Sequence, residues 1–235
     1  MKRLTRNQIF WPSTALAVLL VFNAVFTKNF FSVSVVDGHF YGSVIDILKN
    51  FAPLALLSTG MTLVVATGGG DISVGSVVAI SGAIACSVID GRLGVFDYSL
   101  AAALLLALLS GVLCGLWNGF LVAKVKIQPM VATLILMTAG RGIAQLITNG
   151  KIVTVNSAPM MEPYYFIGAG YLLGFPFALY IVLAVSAAIM LLVRRTAFGL
   201  FLESLGANSR SSRLSGVNVD RMKLTVFTIS GLLAG

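Results

Sequence analysis

The sequence predicts an all-α polytopic membrane protein: a helical bundle of about six complete transmembrane spans plus a partial seventh, with the N-terminus cytoplasmic. Three observations carry this. Of 235 residues, 58% are hydrophobic and only 10% are charged, giving a mean hydropathy of +0.97 that no soluble core of this size can hide. Apolar runs near the roughly 20 residues needed to cross a bilayer core of about 30 Å tile the chain. Lysine and arginine gather in alternate loops, as orientation by cytoplasmic positive charge requires.

Taken in order, Lys2, Arg3 and Arg6 precede an apolar run from Phe10 to Phe26. The run lacks the small-residue cleavage site of a signal peptide and is kept as the first span. The loop Thr27–Asp46, where Lys28 is offset by Asp37 and Asp46, lies outside. The second span, Ile47–Thr67, returns inward to Gly68, Gly69, Gly70 and Asp71. The third, Ile72–Ile89, runs out to the acidic loop of Asp90, Arg92 and Asp97. Ser99–Ala123 comes back to Lys124 and Lys126, Pro129–Thr148 leads out to Lys151 and Glu162, and Tyr171–Val193 returns to a basic segment, Arg194–Lys223. This arrangement places eleven basic residues inside and Lys28, Lys49, Arg92 and Lys151 outside. Leu224–Gly235 starts a seventh span of about 18 Å, which is short of a bilayer core, so the chain is expected to be a truncated form of something longer.

Sixteen Lys and Arg against eight Asp and Glu give a net charge of +8. No basic stretch is interleaved with aromatic stacking platforms, so nucleic acid is not the expected partner. Cys86 and Cys114 fall inside apolar runs, where thiols pack as small hydrophobes. The single His39 makes no metal site alone. No acids, histidines and nucleophiles cluster at any span end, so catalytic residues are not expected.

Function is sought instead where polar groups interrupt the apolar runs. Asp71 reads as an N-cap accepting an N–H from Ser73 or Val74, with Gly68, Gly69 and Gly70 as a structural turn. It also reads as a discontinuous helix whose freed backbone lines a substrate path, and the two readings are compatible. A coupling-ion site at Asp71, in a secondary transporter, is the alternative function. Arg141 is costly at a helix centre and should find acceptors; with Thr138, Gln145 and Thr148 it forms a polar stripe suited to sugar hydroxyls or to holding helices together. Asn118 beside Trp117 offers an amide and an aromatic face. Small residues recur every fourth position at Ala103, Ala107, Gly111, Gly115, Gly119 and Ala123, and at Gly75, Ala79, Ala83 and Ser87, predicting close helix packing along both ridges.

In the basic segment, Phe198, Phe201, Leu202 and Leu205 share one helical face. Gly206, Ala207 and Asn208 then turn the chain into a short basic piece, Ser209–Leu214, closed by Gly216. This pattern suits a helix-turn-helix lying on membrane lipid or docking a soluble partner.

The run from Leu57 to Ser76, containing Thr67-Gly68-Gly69-Gly70-Asp71-Ile72-Ser73, resembles the signature region of ribose-type sugar permeases of bacterial ABC importers. Trp117-Asn118-Gly119, Gln128-Pro129, Ala132–Met137, Gly140-Arg141-Gly142, Leu205–Asn208 and Arg213–Asn218 extend the likeness along nearly the whole chain. Gly42-Ser43 and Ile45–Leu48 draw it towards permeases of galactofuranose importers. The resemblance implies one transmembrane permease domain over residues 1–235, incomplete at its C-terminus, in the bacterial inner membrane. It implies a second permease subunit, identical or different, a periplasmic sugar-binding protein, and a cytoplasmic ATPase that binds the ATP; this chain needs no cofactor. It makes 194–223 the cytoplasmic coupling segment, with Glu203, Gly206, Asn208, Arg210, Arg213 and Gly216 at the ATPase contact. Asp71, Asn118, Arg141 and Gln145 become the substrate-path candidates. Gly70 stands where the family commonly carries Ile or another apolar residue.

Overall fold

The computed structural model describes residues 10–27, 30–36, 38–91, 99–155 and 161–235. Lys2, Arg3, Arg6, Lys28, Asp37, Arg92 and Asp97, which enter the charge argument, lie outside them. Helix α1 (Phe10–Phe26) coincides with the expected first span and buries none of its residues. Its exposed Leu16, Leu19, Val21 and Phe22 suit a surface solvated by lipid. Helix α2 (Ser43–Ala66) starts earlier than its apolar run, and α3 (Val74–Ile89) starts later. Helix α4 (Leu100–Phe120) continues through a π-helical turn, Leu121–Val125, to Lys126 in the left-handed region at φ 65°. Then come α5 (Pro129–Ile147), α6 (Met161–Ala169), α7 (Phe177–Arg195), α8 (Ala197–Ala207), α9 (Ser209–Leu214) and α10 (Val219–Ala234).

Four helices among the described residues are long and apolar enough to cross a membrane: α2, α4 with its π turn, α5 and α7. Helices α1 and α3, of 17 and 16 residues, rise only about 25 Å. The sixth apolar run does not start as a helix. Tyr171–Leu172 (β3) pairs with Phe175–Pro176 (β4) in a small hairpin, so α7 begins at Phe177. A second hairpin, Ser34–Val36 (β1) with His39–Tyr41 (β2), occupies the loop before α2. The all-α expectation thus holds for the bundle but not for its loops.

These hairpins meet at one end of the bundle, where the Phe40 N–H donates to the Gly174 carbonyl at 3.0 Å. His39 and Tyr41 each pack against the Tyr171 ring at 5.2 Å between centroids. At the other end, the α4–α5 connection, α8, α9 and the start of α10 come together. A core of Leu63, Val64, Leu121, Val122, Ala132, Leu202, Val226 and Phe227 joins α2, the end of α4, α5, α8 and α10.

Helix α10 fits against α4 backbone to backbone. A Cβ on Gly111 would strike the Gly231 carbonyl, one on Gly115 the Phe227 carbonyl, and one on Gly231 the Gly111 carbonyl. The Gly235 position would place a Cβ 2.9 Å from the Ala107 oxygen. The first small-residue ridge is therefore a helix seam, as expected, because in lipid close van der Waals contact replaces expulsion of water as the driving force. The second ridge is packed only at its far end: Gly75 and Ala79 are exposed, Ala83 is half-buried and Ser87 is buried. Near its start α3 packs on α5 through the neighbouring face, where a Cβ at Gly140 would lie 2.9 Å from Ser76 Cβ.

The seam gives a direct expectation. Gly115→Leu, which forces α4 off the α10 backbone, lowers stability by about 1–3 kcal/mol or more. Gly142→Ala, with nothing within 4 Å of the new methyl, leaves it unchanged or slightly raised. Chemical unfolding of both variants in detergent measures the difference.

Candidate functional site

The break after α2 is built by two local motifs in succession. Helix α2 ends with the Gly68 N–H donating to Val65 O at 2.9 Å and the Gly69 N–H reaching back to Val64 O at 3.3 Å. Gly68 has φ +75°, which completes a Schellman ending. Among the three glycines only Gly68 needs this freedom; Gly69 and Gly70 are absent from the left-handed region. Of the expected triple-glycine turn, Gly68 alone takes the left-handed conformation.

Asp71 then organises the start of α3. Its Oδ1 accepts the Ser73 N–H at 2.9 Å and the Ser73 hydroxyl at 2.6 Å. Because that hydroxyl proton is committed to the carboxylate, Ser73 Oγ must act as acceptor to its other neighbour. Asn118 Nδ2 fills that role at 2.8 Å. The amide orientation of Asn118 is fixed by this polarity, and its Oδ1 is buried with no hydrogen-bond partner. Asp71 is 5% exposed and Asn118 1%, so the chain Asp71–Ser73–Asn118 crosses from the break to α4 inside the bundle. Two further bonds fasten the same stretch to α5. The Ile72 N–H donates to Thr133 Oγ1 at 3.3 Å, and Ser76 Oγ donates to Met137 O at 2.7 Å.

Asp71 also lines an open cleft of about 510 Å³ with Leu54, Leu57, Ser58, Met61, Thr62 and Val74. Its wall is largely apolar, with Ser58, Thr62 and Asp71 supplying the polar points. A small polyhydroxylated solute can meet both kinds of surface there.

The four substrate-path candidates do not form one site. Asp71 and Asn118 are joined through Ser73, which the sequence reading used only as a capping donor. Arg141 lies eight residues beyond Thr133 on α5, about 12 Å along the helix axis. It is exposed. The stripe around it does not tie helices together: Thr138 donates to Leu134 O and Ile135 O, and Thr148 to Ala144 O and Gln145 O, all on α5 itself. Gln145 faces a separate cleft of about 300 Å³ with Ala79, Ala83, Cys86 and Thr148. Trp117 and Asn118 part company, since Trp117 is 51% exposed while Asn118 is buried. They cannot serve as an amide-plus-ring pair.

Of the coupling candidates, Glu203, Asn208, Arg210 and Arg213 present exposed side chains on a firmly built hairpin, and Gly206 and Gly216 belong to its backbone turns. Asn208 caps α9, accepting from the Arg210 and Ser211 N–H groups at 3.0 and 3.1 Å. Gly216, at φ +88°, closes α9 with the Val217 N–H donating to Ser212 O at 3.0 Å. Leu202 and Leu205 are buried as expected, but Phe201 is turned outward. Gly206 points a different way from its neighbours: a Cβ there would collide with the Ala66 carbonyl at the end of α2.

Sequence reading missed one ionic cluster. Asp220, ahead of the apolar part of α10, accepts from Lys126 Nζ and from Arg213 Nη2, the latter at 2.9 Å. The hydrogen bond from Lys126 and the positive charge of Lys126, Arg213 and Lys124 hold its carboxyl below the usual aspartate range. The cluster ties the α4–α5 connection to α9 and α10.

The family described as "Branched-chain amino acid transport system / permease component" matches residues 43–235. The galactofuranose transporter permease protein YtfT of Escherichia coli is 46% identical over 97% of this chain and 66% of its own length. The ribose import permease protein RbsC of Haemophilus influenzae is 35% identical over 94% of this chain and 64% of its own. The fructose import permease protein FruF of Bifidobacterium longum is 34% identical over 99% and 65%. The chain thus spans slightly less than two thirds of the length of these relatives. No solved structure matches it.

Two outcomes are expected of the polar contacts. Ser73→Ala leaves the Asp71 carboxylate and the Asn118 amide without their shared partner, lowering stability by about 1–3 kcal/mol in detergent unfolding. The Asp220 cluster is pH-dependent with a defined sign. Its folded-state pKa is depressed, so its stabilisation is present above the ordinary aspartate value of about 3.9 and disappears as pH falls through the lowered value. The gap in thermal midpoint between the native chain and Asp220→Asn should be widest near neutrality and close on acidification.

Proposed function

From its membership of the branched-chain amino acid transport system / permease component family, we propose that this chain is the membrane-spanning subunit of a bacterial ATP-binding cassette importer for a monosaccharide. The observation that carries the reading is the match over residues 43–235 together with the sugar-permease names of relatives 34–46% identical. Galactofuranose or a ribose-like sugar is the substrate class. The protein is a transport subunit, multi-pass in the inner membrane; hydrolysis of ATP belongs to a separate cytoplasmic subunit. A second permease copy or homologue and a periplasmic sugar-binding protein complete the assembly.

The contacts agree with the sidedness read from charge. The first outside loop touches the outer end of the sixth span, as Phe40 touches Gly174. Segments assigned to the inside do likewise, as Lys126, Arg213 and Asp220 pair. In this orientation the N-terminus and residues 194–223 are cytoplasmic, and α8–α9 offers Glu203, Asn208, Arg210 and Arg213 to the ATPase. ATP-driven motion of that partner would switch the packed helices between outward and inward access. The cleft beside Asp71 lies on the sugar's path.

The secondary-transporter alternative has lost its ground. The relatives bear import-permease names, and Asp71 Oδ1 is taken by two donors from Ser73 in a local turn ahead of α3.

The test is uptake of radiolabelled sugar into vesicles holding the full transporter. Transport should need both the ATPase subunit and ATP, and dissipating the ion gradients should leave it intact. Uptake without the ATPase would sink the proposal.

A further inference from the structure

We propose that Gly206 is the mechanical joint through which the α8–α9 hairpin moves the break at Asp71, a positioning role distinct from docking; it rests on the reading that α8–α9 receives the ATPase. Gly206 lies in the last turn of α8, and no side chain separates it from the Ala66 carbonyl, where a Cβ would overlap. Helix α8 therefore bears on the final turn of α2 backbone to backbone. Leu202, one turn earlier, is buried in the same core as Leu63 and Val64 of that final turn. A push on α8 has no compliant layer to absorb it, because packed interiors transmit displacement.

The stretch after Ala66 is built to convert that displacement. Gly68, two residues on, sits at φ +75°, a conformation side chains resist, and ends the α2 hydrogen-bond ladder there. Beyond it the chain is pinned again, to α4 through Ser73–Asn118 and to α5 through Ile72–Thr133. A shift of the α2 terminus relative to α4 and α5 must then be taken up between Gly68 and Asp71. That stretch borders the 510 Å³ cleft, which is lined by α2 residues on one side and by Asp71 and Val74 on the other. Asn208 and Arg210 are exposed, as is Arg213 alongside its bond to Asp220, whereas a Cβ at Gly206 would point at the Ala66 carbonyl.

The experiment uses the assembled transporter with its ATPase and binding protein in lipid vesicles. Wild-type protein that captures no ATPase on co-purification overturns the docking reading, and the joint with it, before any variant is compared. Given capture, Gly206→Ala should retain the ATPase within about twofold while sugar moved per ATP hydrolysed falls about tenfold. Unchanged sugar per ATP overturns the joint, and so does loss of the ATPase, which would make Gly206 a docking residue. If Gly206→Ala does not fold and insert, a spin label at Gly70→Cys decides. A Cβ at Gly70 meets nothing nearer than Met130 Cγ at 3.8 Å, so the site accepts a side chain. Its spectrum should change when ATP binds to the assembled transporter; an ATP-insensitive spectrum overturns the proposal.

Discussion

A carboxylate and an interrupted helix inside an apolar bundle must find partners within the protein, and the Asp71–Ser73–Asn118 chain is how this fold meets that requirement. Ser73 is its centre. It gives both its N–H and its hydroxyl proton to Asp71 and accepts from Asn118. With the Ile72–Thr133 and Ser76–Met137 bonds, it holds α3 between α4 and α5. Helix α2 is thereby released to pack elsewhere, on α10 and α7, and the space left between α2 and α3 is the cleft.

The rest of the bundle is arranged around that division. The glycine seam of α4 and α10 supplies a stiff backbone contact on which Asn118 is carried. The core that joins the ends of α2, α4, α8 and α10 lies directly below the break, and the Lys126–Asp220–Arg213 cluster closes it from the solvent side.

Much of this was legible in the sequence. Apolar run length located α1 and α5 almost to the residue, and turn chemistry located the α8–α9 hairpin through Asn208 and Gly216. The bond from the Ser73 N–H to Asp71 was legible, but the N-cap is Ser73, because α3 begins at Val74. Other features depend on residues far apart in the chain. Ser73 and Asn118 are separated by 45 residues and Lys126 and Asp220 by 94, and no local pattern pairs them. Spacing alone also misjudged one face. The Gly75–Ala79 ridge has the same four-residue repeat as the α4 seam, yet Ser76 and Ile80, one position along, are what α5 meets. The Tyr171–Pro176 hairpin reads as apolar helix by composition, because hydropathy does not distinguish an aromatic turn from the first turn of a span.

A double-mutant cycle between Asp71→Ala and Asn118→Leu tests the central claim most directly, since the two side chains touch only through Ser73. Unfolding free energies in detergent should be non-additive, with an interaction energy of about 1 kcal/mol or more. Additivity within about 0.5 kcal/mol would mean the break and α4 are energetically independent, contradicting the account.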